Sequence, residues 1–249
     1  MKRFVLLSLL VVLLSSSICF AESITQELSV DDFSLHGGIT FGMTREDVRK
    51  AESNNGFEAN DKSLTYTYYD SDGKYRSAEC DGLYVYGSMA GISGSKLYYY
   101  FDDEGKLFAA VYEFGNHDMN SFNDIDELVV KKYSSIKAND TRTMPSILDV
   151  YYSNITRASF GSDTYKSLQF ELSDGSRIQI EHAIFYSDVP GYSKEMNIMF
   201  GGHHYLEYQF TSAEELDEIS IALREKQKNE EEQRQKEEEE RERQRNNDI

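Results

Sequence analysis

Apolar residues recur along this chain in two rhythms, one helical and one alternating, and polar turns separate them. The first helical rhythm follows Gly37 and Gly38. Thr44 is placed to cap it, because its hydroxyl can accept from the free amides of a first turn. Asp47 stands three residues on, as a capping box requires, and Met43 and Val48 have hydrophobic-staple spacing. Glu46 and Asp47 suit the positive end of the helix dipole. The helix is expected to run to about Ser53, where Asn54, Asn55 and Gly56 supply a left-handed stop. A second helical rhythm follows Ser121, with Asp124 three residues on. Ile125, Leu128, Val129 and Tyr133 then recur at i, i+3, i+4 and i+8.

Alternation marks the strands. Residues 63–69 place Leu64, Tyr66 and Tyr68 on one face, with Thr65, Thr67 and Tyr69 on the other. Residues 83–86 follow. Residues 96–101 and 106–114 flank the acidic turn 102–105 and predict a hairpin rich in aromatic side chains. After the second helix, strand signals return at 147–152 and 155–160. Residues 165–172 and 177–186 form a second hairpin around the turn 173–176, and residues 197–200 and 204–210 close the series across Gly201 and Gly202.

This order predicts an α+β fold. Two helix-plus-antiparallel-strand units, 37–116 and 117–211, would pack in tandem as a repeat of elements. A long charged helix, 212–249, would follow. Thr211 or Ser212 can cap that last helix, with Glu214 or Glu215 completing the box. Leu216, Ile219 and Leu223 make a short apolar stripe. Residues 224–245 are then almost entirely Glu, Gln, Lys and Arg with no a/d seam, which leaves a coiled coil unsupported. Two readings stay open for this tail: a lone solvated helix serving as a charged arm, and a frayed helix grading into disorder.

The N-terminus changes the compartment. Lys2 and Arg3 precede the apolar run 4–14, and small residues stand at the −1 and −3 positions of a cleavage site after Ala21. Residues 1–21 therefore read as a secretory signal peptide, too short to span a bilayer. Ile18 before Cys19 disfavours lipidation. Residues 22–36 read as an extended lead-in. The expected location is exported, periplasmic or extracellular, with no membrane span once the signal is removed. Cys80 then stands alone and cannot form an intramolecular disulfide.

A formal net charge of −18 argues against nucleic acid as a partner, since phosphate contacts need a basic surface. Candidate chemistry is sparse. His182 and His204 would approach if their strands paired, with Glu181 or Glu207 nearby, and two imidazoles with a carboxylate can hold zinc. His203 and His204, as strand neighbours, cannot both serve one site. The turns 70–73 and 102–105 resemble calcium loops without the full ligand series, and acidic hairpin turns explain them at less cost. Asn139 and Asn154 begin glycosylation sequons. Nucleophile elbows, phosphate loops, Cys-x-x-Cys and His-Glu-x-x-His motifs are all absent from the sequence. Tyrosine is abundant, at 18 residues, and tryptophan is missing. A tyrosine-bearing sheet face suits binding, because tyrosine offers a large apolar area with a polar tip.

Gly38 to Val48, Gly-Ile-Thr-Phe-Gly-Met-Thr-Arg-Glu-Asp-Val, resembles the opening of small exported bacterial proteins in which a Gly-Met-Ser/Thr turn feeds a helix ahead of an antiparallel sheet. It is similar to the start of the outer-membrane assembly lipoprotein family SmpA/OmlA. The order of elements resembles that of β-lactamase inhibitor proteins. The resemblance implies a non-catalytic protein-binding module of a bacterial envelope. This chain lacks the lipidated cysteine, and no Gly-x-Pro follows the first helix.

The expectation from sequence is thus an exported, non-catalytic module that binds a protein or a cell-envelope component through its sheet face. No cofactor, catalytic residue or metal ligand is assigned, and the oligomeric state stays open. The alternative is an exported metal-dependent hydrolase using His182 and His204.

Overall fold

The computed structural model describes residues 28–69, 75–115, 118–133, 165–186 and 190–247. Two single turns of 3-10 helix, Val30–Asp32 and His36–Gly38, lead into helix α1 (Arg45–Asn54). Strands β1 (Asn60–Tyr69), β2 (Tyr75–Met89), β3 (Ile92–Phe101) and β4 (Leu107–Phe114) follow. Next come α2 (Met119–Tyr133), β5 (Tyr165–Glu171) and β6 (Arg177–Phe185). Then α3 (Lys194–Gly201), β7 (His203–Thr211) and α4 (Ala213–Asn247) complete the described chain.

The seven strands form one antiparallel sheet in the order β1-β2-β3-β4-β7-β6-β5. This overturns the expected α+β arrangement of two tandem helix-plus-strand units followed by a long charged helix. The physical reason is the central pairing. Ala109 to Phe114 of β4 pair with Gln209 to His204 of β7, so the two halves share a hydrogen-bonded ladder and a single apolar face. The last strand in sequence returns to the middle of the sheet, where both of its edges are satisfied.

That shared face carries the main core. Val85, Leu97, Tyr99 and Phe101 from one half meet Ile178, Ile180, Leu206 and Tyr208 from the other, all buried. Helix α1 lays Val48 on this face and α2 lays Ile125, Val129 and Tyr133. The segment before α1 is tied to the sheet. Gly42 N–H donates to Leu107 O, Leu107 N–H donates to Met43 O, and Thr44 bridges Lys106. Thr44 caps α1 by accepting from Asp47 N–H. Gly82 lies in β2 where the strands close tightly; a Cβ there would stand 2.3 Å from Leu64 and 2.9 Å from the Tyr99 carbonyl.

Two local expectations are corrected. Residues 197–200, expected as a strand, belong to α3, because Ser193 caps that segment by accepting from Met196 N–H. The second helix begins before Ser121, and Asp118 Oδ1 accepts from Ser121 N–H at 2.8 Å. The expected strands 147–152 and 155–160, the turn 70–73, both sequons and the signal peptide lie outside the described residues. In α4, every described side chain from Arg224 to Arg243 is exposed.

Candidate functional site

Strand alternation decides which side chains can meet. On the helix-bearing face, His182 of β6 and His204 of β7 are diagonal neighbours, since His182 pairs with Leu206 and His204 with Ile184. Their Nε2 atoms lie 2.7 Å apart, and both rings are buried. This is a hydrogen bond between imidazoles, one donating and one accepting. Phe122 of α2 stacks on His182, with centroids 4.1 Å apart and planes at 8°, and Phe114 lies against His204. Asp126 Oδ1, also from α2, stands 3.7 Å from His182 Nδ1, at ion-pair rather than hydrogen-bond separation. Burial pushes the His182 pKa down, against a smaller upward pull from Asp126. The nearby imidazole holds the Asp126 carboxyl below its ordinary range.

Glu181 and Glu207 do not join this pair. They are direct cross-strand partners on the opposite face, 1% and 0% exposed. Glu181 Oε1 accepts from Tyr165 O–H at 2.9 Å and from the Gln179 amide at 2.7 Å. That amide's oxygen in turn accepts from Gln169 at 3.2 Å. Tyr98, Tyr100 and Tyr205 share this second face and are buried too, while Tyr86 on the same face is 62% exposed. The His–His–Glu set considered from sequence is therefore split across the sheet. Two Nε2 atoms at 2.7 Å also stand closer than a tetrahedral ion with bonds of about 2.0–2.1 Å places its ligands. Among the described residues no three metal-ligating side chains converge. His203 lies exposed near Tyr205, away from His204.

A second polar centre sits beneath α1. The Glu52 carboxylate is fully buried and accepts from the Tyr99 hydroxyl. His36 Nδ1 lies 3.2 Å from the same oxygen, and His36 N–H donates to Tyr112 Oη at 3.0 Å. The hydrogen bond to Glu52 raises the His36 pKa, against partial desolvation. Burial pushes the Tyr99 hydroxyl well above its ordinary range, so it stays a donor.

Between these centres, α2 and the sheet leave a cavity of about 220 Å3. Its buried wall is Met89, Tyr112, Phe114, Ile125, Leu206 and Tyr208. Leu128, 53% exposed, and Lys132 stand one turn apart on α2 at its solvent side. Lys132 Nζ donates to Ser34 O and lies 5.3 Å from the Tyr133 ring centre. Desolvation lowers its pKa.

The remaining candidates are structural. Asp102 Oδ1 accepts from the Glu104 and Lys106 amides, so this acidic turn binds its own backbone. Cys80 is half-buried in β2 and burial pushes its thiol up to about 11, which leaves no useful thiolate at neutral pH. Glu52, Asp126 and Lys132 were not singled out from sequence. Each carried a legible signal: Glu52 follows Val48 by four residues, Asp126 follows Phe122 by four, and Lys132 follows Leu128 by four. A charge on an apolar helical stripe marks a buried partner or a site mouth.

Comparison with family models, with curated proteins and with solved structures returns no match in any of the three. The resemblance of residues 38–48 stands on those residues alone.

Proposed function

We propose that this protein is an exported, non-catalytic binding module for a small cell-envelope component, held in the cavity between α2 and the sheet. The observation that carries this reading is the cavity itself: a concave, mostly apolar space beside the core with few polar groups on its wall. Export is supported by the charged and apolar pattern of residues 1–21. The polar centres on either side belong to the packing. The imidazoles of His182 and His204 bond to each other, and Glu52 is taken up by Tyr99 and His36. The alternative, a metal-dependent hydrolase, is less well supported: His182 and His204 come together, but Glu181 and Glu207 lie on the opposite face.

Titration of the full chain with a solvatochromic apolar dye tests the reading. Leu128→Asp places a charge at the exposed mouth and should weaken dye binding about tenfold with an unchanged urea midpoint. Equal dye binding by both proteins removes the cavity as the site.

A further inference from the structure

The cavity wall is mostly apolar, and among the described residues its one ammonium is Lys132. The chain carries 44 acidic residues against 26 basic ones, and several of its cations sit on carboxylates. Lys96 pairs with Glu113, Arg49 with Asp61, and Arg45 with both Asp61 and Asp81. Lys132 has no carboxylate within ion-pair distance among the described residues. Among the described residues it touches the Ser34 carbonyl and the face of Tyr133. An ammonium offers three donors, and one carbonyl uses one of them. Lys132 also lines the cavity, beside Ser34 and His36. His36 is already engaged by Glu52, which leaves Lys132 to set the charge preference of the mouth.

Size narrows the occupant. At roughly 30 Å3 for each water-sized unit, the space holds about seven or eight non-hydrogen atoms of a ligand. This is smaller than a drug-sized site and fits a short alkyl chain along Phe114, Ile125 and Leu206. A partly desolvated cation beside an apolar slot complements a chain that ends in one negative charge.

We infer that the cavity binds a short-chain monocarboxylate amphiphile of about six to eight carbons, its alkyl tail against the α2–sheet wall and its carboxylate on Lys132. This rests on the binding-module reading above, to which it adds the ligand class and the residue that selects it.

Calorimetric titration of the full chain with octanoate, 1-octanol, octylammonium and octyl phosphate tests it. Octanoate should bind about tenfold tighter than octanol, and octylammonium should bind weakest. Lys132→Met, a change at an exposed side chain, should lower octanoate affinity to that of octanol while octanol affinity holds. Octanol binding as tightly as octanoate overturns the inference, as does an octanoate affinity untouched by Lys132→Met. A preference for octyl phosphate over octanoate overturns the carboxylate and assigns a phosphate head. If none of the four binds, the cavity is not a ligand site, and the binding-module reading fails with it.

Discussion

The Glu52 centre beneath α1 and the imidazole pair beneath α2 meet the same difficulty, a polar group inside an apolar face, in opposite ways. Glu52 keeps a carboxylate buried by bringing two donors to one oxygen, Tyr99 Oη and His36 Nδ1. His182 and His204 share one hydrogen bond between their Nε2 atoms, and His182 Nδ1 faces Asp126 at 3.7 Å without a hydrogen-bond partner among the described residues. The two regions therefore tune the same residue type in different directions. His36 keeps a quarter of its side chain exposed, lies against an anion and is raised; His182 is 2% exposed and is lowered. A charged partner at hydrogen-bond distance outweighs partial burial. The same type of partner at 3.7 Å does not outweigh full burial.

The largest expected effect tests the Glu52 side. Glu52→Ala removes the acceptor of a buried hydroxyl and opens a void under α1, and should lower stability by about 3–5 kcal/mol in urea titration. A loss below about 1 kcal/mol would mean that this centre is not a buried network.

The next effect separates a neutral pair from a charged one. His204→Ala leaves His182 without its partner ring and should lower stability by about 2–4 kcal/mol. Changing both residues together, His182→Leu with His204→Leu, should lower it by less, because apolar side chains of similar size then replace both buried imidazoles. A double variant less stable than His204→Ala would contradict the picture of two imidazoles that depend on each other.

A smaller effect follows from how α1 delivers Glu52. Thr44→Ala removes the cap and should lower stability by about 1 kcal/mol. Proton exchange should accelerate in α1 and stay unchanged in α2. Equal acceleration in both helices would show that the two centres are coupled, and the comparison would fail.

The last test reads a slope with pH. The folded pKa of His36 is raised above the ordinary 6.5. Its contribution is fully present below 6.5 and is lost as pH rises through the folded value. The folded pKa of His182 is depressed below 6.5. Its contribution is present above 6.5 and is lost as pH falls toward the folded value. The stability difference between the wild type and His36→Gln should thus shrink above pH 6.5. The difference between the wild type and His182→Leu should shrink below it. Urea titrations across pH 5–8 check both signs, and parallel slopes would remove the contrast.

Some of this was legible in the chain and some was not, and the division follows the range of the interactions. The cap at Thr44, the stop after Asn54 and the hairpins around residues 102–105 and 173–176 need only neighbours within a few residues, and the structure has them. The segment around Ile198 shows how close that margin runs. Its β-forming residues suggested a strand, yet Ser193 starts a helix there. What residues far apart do together was out of reach. The pairing of β4 with β7 turned two expected units into a single sheet, and the β6–β7 register set His182 beside His204, while strand alternation alone puts Glu181 and Glu207 on the face away from them. A shift of one residue in that ladder exchanges the faces, and nothing local to either strand fixes it. Local chemistry determined the elements of this protein. The long-range ladder decided which polar groups are buried together and left Lys132 beside an apolar cavity without a carboxylate in reach among the described residues.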